Sequence, residues 1–459
     1  MRVRMCRIAT TALISILLGT LGARAGVPEA YRRLWEDPAV QERIARGIEQ
    51  HRKGDAVVRL VGSDGKPLAG RAVRLAQQTH AFLFGCNLFV LGQLDTAEAN
   101  RTYEARFVHL FNFATLPFYW AGTEPTQGEL RYAEGARRVW RRPPPDRLVA
   151  WCKANGVVPK GHPLLWHAHN PPWLPKEREA LEALYVKRFG ELADRYGADV
   201  AIWDVVNESL VCPKSFPLFR PDRSYVLWAF ELAHRVFRPE PLLMINEVTG
   251  FGSRPGADNP YYQQVKRLLD EGVGVEGIGF QFHFFSAGAL QSHLDGKSFR
   301  PKDLLDVYER FAGFGRPLYI TEITIPTAGP DGPEVQAAVT RNLYRLWFSA
   351  PRMAGITWWN LGDGLAVKGE NKAGGGLVDE NLDPKPSYLT LDRLINQEWT
   401  TRVEAKTDAR GEVRFRGFFG GYDVTTTTPG GERRGRFQHT RDGKAAYACR
   451  LGPEAKAER

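Results

Sequence analysis

The stretch Ile202-Trp203-Asp204-Val205-Val206-Asn207-Glu208 begins as a short apolar run and stops abruptly at an amide and a carboxylic acid, with Ser209 after them. A run of this length and composition reads as a buried strand, and polar groups at its C-terminal end avoid the cost of an acid in mid-strand. In a parallel α/β barrel, that end of the strand faces the loops that build a site. A second run of the same design, Leu318-Tyr319-Ile320-Thr321-Glu322-Ile323, lies further along the chain.

Between residues 81 and 399 strand-like and helix-like runs alternate. The strands are expected at 82–86, 111–116, 157–165, 202–207, 242–246, 278–282, 318–323 and 355–360. Helical spacing lies between them, for example at 177–196, 224–237, 261–271, 303–314 and 333–348, with a last helix near 388–395. This order predicts an α/β chain folded as a (β/α)₈ TIM barrel over residues 81–398, with Glu208 ending the fourth strand and Glu322 the seventh.

The flanks have another period. Residues 28–52 read as one helix, and residues 26–80 as a helix followed by a β segment. In that segment, 56–61 and 71–75 form a hairpin-like pair around Ser63-Asp64-Gly65-Lys66-Pro67. Alternating runs at 400–405, 412–419, 422–427 and 436–450 make residues 399–459 a C-terminal β segment. Strands this short need partners, so residues 55–76 are expected to pair with the C-terminal segment in one small β domain beside the barrel.

With 459 residues, 43% of them hydrophobic and 25% charged, the chain has ample material for such a body. The formal charge of +10 is spread along the sequence without a nucleic-acid-binding motif, so nucleic acid is not expected as a partner. Its densest cluster, Arg137-Arg138 and Arg141-Arg142 before Pro143, reads as a solvated loop. Arg2, Arg4 and Arg7 precede an apolar run and Ala23-Arg24-Ala25, the pattern of a secretory signal peptide over residues 1–25. The mature chain is then expected to be secreted or periplasmic, with no membrane contact after cleavage. Cys86, Cys152, Cys212 and Cys449 are far apart and show no metal-ligand spacing, which reads as buried free thiols.

The remaining strand ends decide what the two acids do. The third strand runs into Gly161-His162-Pro163-Leu164-Leu165-Trp166-His167-Ala168-His169, the sixth ends in Gln281-Phe282-His283, and the eighth gives Trp358-Trp359-Asn360. Flat aromatics and neutral hydrogen-bonding groups suit the CH faces and hydroxyls of a sugar. Two carboxyl groups in such a setting are what glycoside hydrolysis requires, one protonated and one ionised. A zinc site at His162, His167 and His169 ranks lower, because no acidic or Cys partner stands at ligand spacing; neither metal nor cofactor is expected.

Taken together, Gly161 to His167, Trp203 to Glu208, Gly279 to His283, Ile320 to Ile323 and Asp379 to Pro386 resemble, in order, the signatures of glycoside hydrolase family 10, the β-1,4-xylanases. The resemblance implies a retaining hydrolase of xylan or a related polysaccharide, with Glu208 as general acid/base and Glu322 as nucleophile. It also implies that Asn207 donates to the sugar 2-hydroxyl and that His162, Trp166, Gln281, His283 and Trp359 line the cleavage subsite. The chain departs from the family at the second strand. A Glu-Asn-Glu-Met-Lys-Trp run usually grips the non-reducing side of the substrate there, whereas this chain has the uncharged Thr115-Leu116-Pro117-Phe118-Tyr119-Trp120 and rejoins the pattern at Thr123-Glu124-Pro125. The fifth strand has Asn246-Glu247 where Asn-Asp is usual. The alternatives are a β-glycanase of different specificity, served by stacking on Phe118, Tyr119 and Trp120, and a non-catalytic glycan-binding protein on the same barrel.

Overall fold

The computed structural model describes residues 26–238, 241–256, 258–327, 329, 331–428, 431–441, 443 and 446–453. The expected signal peptide lies outside them. In chain order the strands are β1 (Lys53–Val61), β2 (Ala72–His80), β3 (Leu83–Asn87), β4 (Phe113–Pro117), β5 (Val158–His162), β6 (Ile202–Asn207), β7 (Leu242–Glu247) and β8 (Gly277–His283). They continue with β9 (Leu318–Thr324), β10 (Met353–Trp358), β11 (Arg402–Lys406), β12 (Glu412–Phe418), β13 (Gly420–Thr428), β14 (Gly431–His439), β15 (Ala446–Arg450) and β16 (Gly452–Pro453).

β3 to β10 close into a barrel in the order β10-β3-β4-β5-β6-β7-β8-β9, with every neighbouring pair parallel. Strands covered on both faces need apolar residues on both, and β4, β6, β8 and β9 are buried at every position. The bottom of the barrel is plugged by Phe113, Ile202, Met244 and Tyr319. Gly161 admits the Trp203 ring, which a Cβ at that position would meet at 2.2 Å. β5 is shorter than the expected 157–165, since Pro163 has no N–H to continue the ladder; Leu165 returns only as a single bridge to Val206.

The N-terminal helix is two helices, Glu29–Trp35 and Pro38–Arg52. Pro38 cannot continue the first, and the Asp37 carboxylate caps the second by accepting from Ala39 N at 2.8 Å. At its far end Arg52 donates to the carbonyls of Phe348, Ala350 and Met353, tying this helix to the base of the barrel.

The terminal segments do form a common β structure, but β1 and β2 are not a hairpin. β1 lies between β12 and β15, whereas β2 lies between β11 and β13 in a second sheet that also holds β14 and β16. Val58 and Leu60 of one sheet meet Val73, Leu75, Tyr422, Val424 and Phe437 of the other. A hairpin would have placed β1 and β2 edge to edge; facing each other across a sandwich lets both bury their apolar alternate positions. The run 436–450 is likewise two strands, β14 in the larger sheet and β15 parallel to β1 in the smaller. All four described cysteines are buried and unpaired.

Candidate active site

Glu208 follows directly on β6 in the left-handed region, at φ 56° and ψ 44°. A non-glycine residue pays about 1 kcal/mol or more for this. Its surroundings over-determine the turn. The Glu208 N–H donates to the Asn246 carbonyl at 2.9 Å, and the next residues are gripped by Glu247, whose carboxylate accepts from Leu210 N at 2.9 Å and from the Ser209 hydroxyl at 3.2 Å. The Glu208 carboxyl accepts from Gln281 Nε2 at 2.9 Å on Oε1 and from Trp166 Nε1 at 3.0 Å on Oε2. Burial raises its pKa, helped by the charge of Glu322 and opposed by those two donors.

Glu322 lies within β9, two residues before its end. The pairing of β8 with β9 slips at this point, from Phe280 opposite Ile320 to Gln281 opposite Glu322. Such a bulge re-aims side chains. Here it turns consecutive residues to one partner: Thr321 Oγ1 donates to Asn246 Oδ1 at 2.6 Å, and Asn246 Nδ2 donates to Glu322 Oε1 at 3.0 Å. Burial pushes the Glu322 carboxyl up to about 7, against the stabilising charges of His162 and Lys160 and the Asn246 donor.

The other predicted residues converge on this pair. Asn207 Oδ1 accepts from Asn246 Nδ2 at 2.9 Å, while Asn207 Nδ2 is buried with no hydrogen-bond partner among the described residues. His283 sits between Thr324 Oγ1, 2.9 Å from Nδ1, and Glu322 Oε2, 3.2 Å from Nε2. Burial lowers its pKa to about 4, so the ring is neutral at pH 7, and the pairing that satisfies it has Nε2–H donating to Glu322. His162 Nδ1 lies 2.6 Å from Asp204 Oδ2, which also accepts from buried Lys160 Nζ at 2.7 Å. Burial would raise the Asp204 acid; the two cation-capable partners outweigh it and hold the carboxyl below its ordinary range. Trp166 and Trp359 complete the cavity, of about 620 Å³, which also contains Glu208, Glu322, Asn207, His162, Gln281 and His283 in its lining.

Two sequence readings are corrected here. Of the three aromatics after β4, Tyr119 alone lines the cavity: Phe118 packs on Trp203 and Tyr196, and Trp120 on Tyr185 and Trp173. Successive residues past a strand end point different ways, so a run of three cannot form one platform. Arg141 and Arg142 are not in a solvated loop but line the cavity, Arg142 stacked over Tyr119 at 4.0 Å. Among the described residues no three His, Cys, Asp or Glu side chains cluster as a metal site, and His169 instead packs against Tyr119 and Trp166. The sequence reading passed over Asn246, Lys160 and Asp204 as site residues. For Asn246 the signal is Asn246-Glu247, polar at a strand end like Asn207-Glu208.

The glycosyl hydrolase family 10 model matches residues 118–393. Among curated proteins, the chain is 27% identical over 400 residues to the anti-sigma-I factor RsgI6 of Acetivibrio thermocellus, covering 86% of this chain and 47% of that protein. It is 28% identical over 279 residues to endo-1,4-beta-xylanase B of Thermotoga neapolitana, covering 56% and 75% of the two chains. The chain thus spans about half the length of the first of these relatives. Xylanase 10B from Thermotoga petrophila RKU-1, solved in complex with xylobiose, superposes with a TM-score of 0.58 at 24% identity over 69% of this chain and 95% of that one. With the family model covering more than half of its length, the chain belongs to glycosyl hydrolase family 10.

Proposed function

We propose that the protein is a retaining glycoside hydrolase that cleaves β-1,4-linked xylan or a closely related polysaccharide, needing no cofactor. One observation carries the reading. Two carboxyl groups from different strands, Glu208 and Glu322, line a single cavity and are joined through Gln281, Asn207 and Asn246. In the proposed mechanism Glu322 attacks the anomeric carbon as the glycosidic C–O bond breaks, and the leaving oxygen takes the proton of Glu208. Water then attacks the glycosyl-enzyme bond, Glu208 takes its proton, and Glu322 leaves as carboxylate. Lys160, His162 and Asn246 favour the ionised Glu322 that the first step needs. Asn207 Nδ2, buried and unpartnered among the described residues, supplies a donor for a sugar hydroxyl.

Sugar release from a panel of xylans, glucans and mannans, with Glu208→Gln and Glu322→Gln as controls, tests the reading. Proton NMR of the first-formed anomer tests retention. The competing reading is a glycan-binding protein without catalysis on the same barrel, since a fold does not fix a function; binding of xylan with no sugar released would establish it. We further propose export, with cleavage near Gly26. N-terminal sequencing of the mature protein should begin there.

A further inference from the structure

The wall of the cavity at β4 lacks the Glu, Asn and Lys that the family resemblance places on the non-reducing side of the substrate, yet it is not apolar. Arg142 lies over the Tyr119 ring at 4.0 Å and 5.5 Å from the Phe89 centroid. Behind it Arg141, 4% exposed, stacks 5.2 Å from Phe89 and donates to Asn360 Oδ1 at 2.8 Å and to the Leu365 carbonyl. Its Nε is buried with no hydrogen-bond partner among the described residues. Arg142 donates from one amino group to the Arg141 carbonyl at 2.8 Å; its other guanidinium donors have no partner among the described residues. Neither guanidinium forms an ion pair with a carboxylate among the described residues. The carboxylate that shares this wall, Glu370, is held by Asn360 Nδ2 at 2.9 Å, so two cations stand against one anion.

Enclosed charge is costly unless it is paired, and stacking on a phenol ring offsets only part of that cost. Burial lowers the Arg142 pKa to about 10, which leaves it charged at neutral pH. An undecorated xylan chain offers this wall only hydroxyls. A guanidinium fork with free donors matches a carboxylate, which it can bind through two parallel hydrogen bonds.

We propose that Arg142, backed by Arg141, forms a carboxylate subsite, and that the preferred substrate is a β-linked glycan bearing a uronic acid on the non-reducing side of the cleaved bond. The polarity of the cavity in this statement rests on the hydrolase reading above; the subsite itself does not. Three oligosaccharides of equal backbone length separate the two: unsubstituted, uronic-acid-substituted, and the same acid as its methyl ester. Calorimetry on the Glu208→Gln chain should show the acid binding about ten-fold tighter than its ester, a preference that weakens with salt. The preference should vanish in a second chain that also carries Arg142→Gln. Equal binding of acid and ester, or a preference that survives Arg142→Gln, overturns the subsite. The ester comparison needs no arginine variant, so it decides the matter even if Arg142→Gln fails to fold. Failure of the unmodified protein to release sugar from any of the three would remove the hydrolase reading and leave the binding ratio to judge the subsite.

Discussion

The side-chain amide of Asn246 joins three other residues of the site. It donates to Asn207 and Glu322 and accepts from Thr321, so one side chain favours the ionised form of the second acid and orients the first acid's neighbour. Removing that donor by Asn246→Ala raises the Glu322 pKa further. In the proposed mechanism Glu322 must be ionised, so kcat/KM of the unmodified protein should fall as pH drops below about 7, where Glu322 takes up its proton. Asn246→Ala should move that acid limb upward by about one unit, with a loss of about 10²-fold in kcat. A pH–rate profile that does not move would assign Asn246 to folding alone. Lys160 is different in kind. Fully enclosed against Asp204, it should cost about 3 kcal/mol of stability when replaced by Met, because the change leaves that buried carboxylate only His162 to pair with among the described residues; chemical denaturation reads this directly.

At the scale of elements, the irregular parts of the strands do the positioning. Regular β9 would send Thr321 and Glu322 to opposite faces, and the slip against β8 is what lets both reach Asn246. The turn after β6 depends similarly on β7, whose last residue, Glu247, holds Leu210 N and the Ser209 hydroxyl on one oxygen and Val248 N on the other. Burial raises this carboxyl to about 7 despite the three donors. Glu247→Gln keeps the shape but sets an NH₂ group against donors on one side. It should lower stability by about 1–3 kcal/mol and lower kcat more than it raises KM, since Glu208 shifts while the aromatic walls remain. Thermal unfolding together with steady-state kinetics checks both parts.

For the whole molecule, the β sandwich is built from both ends of the chain. β1 has β12 and β15 as its neighbours, and β2 has β11 and β13. Deleting residues 400–459 therefore strips both N-terminal strands of every sheet partner and exposes Val58, Leu60, Val73 and Leu75. The truncated chain should be insoluble or melt well below the intact one, as exposed edges and apolar faces associate. A soluble truncated chain of unchanged melting temperature would show that the sandwich is dispensable. The four buried thiols should stay unreactive to a thiol reagent until the protein is unfolded.

Local pattern was enough for much of this. Alternating short apolar runs and helical spacing determined the eight-stranded barrel, and polar residues at the C-terminal ends of those runs determined that Glu208, Glu322, Asn207, His162, Gln281 and His283 would gather on one face, because strand direction fixes which end side chains occupy. Asp37-Pro38 could have been read as a helix break, since capping is also local. The tertiary structure decided the rest. Whether β1 faces β2 or pairs with it depends on partners more than 300 residues away, such as Val58 opposite Val413. The bulge in β9 exists only against β8. The pairing of Lys160 with Asp204 and the placement of Arg142 over Tyr119 join segments that are remote in sequence, and the cost of burying a charge becomes visible only when its neighbours are in place.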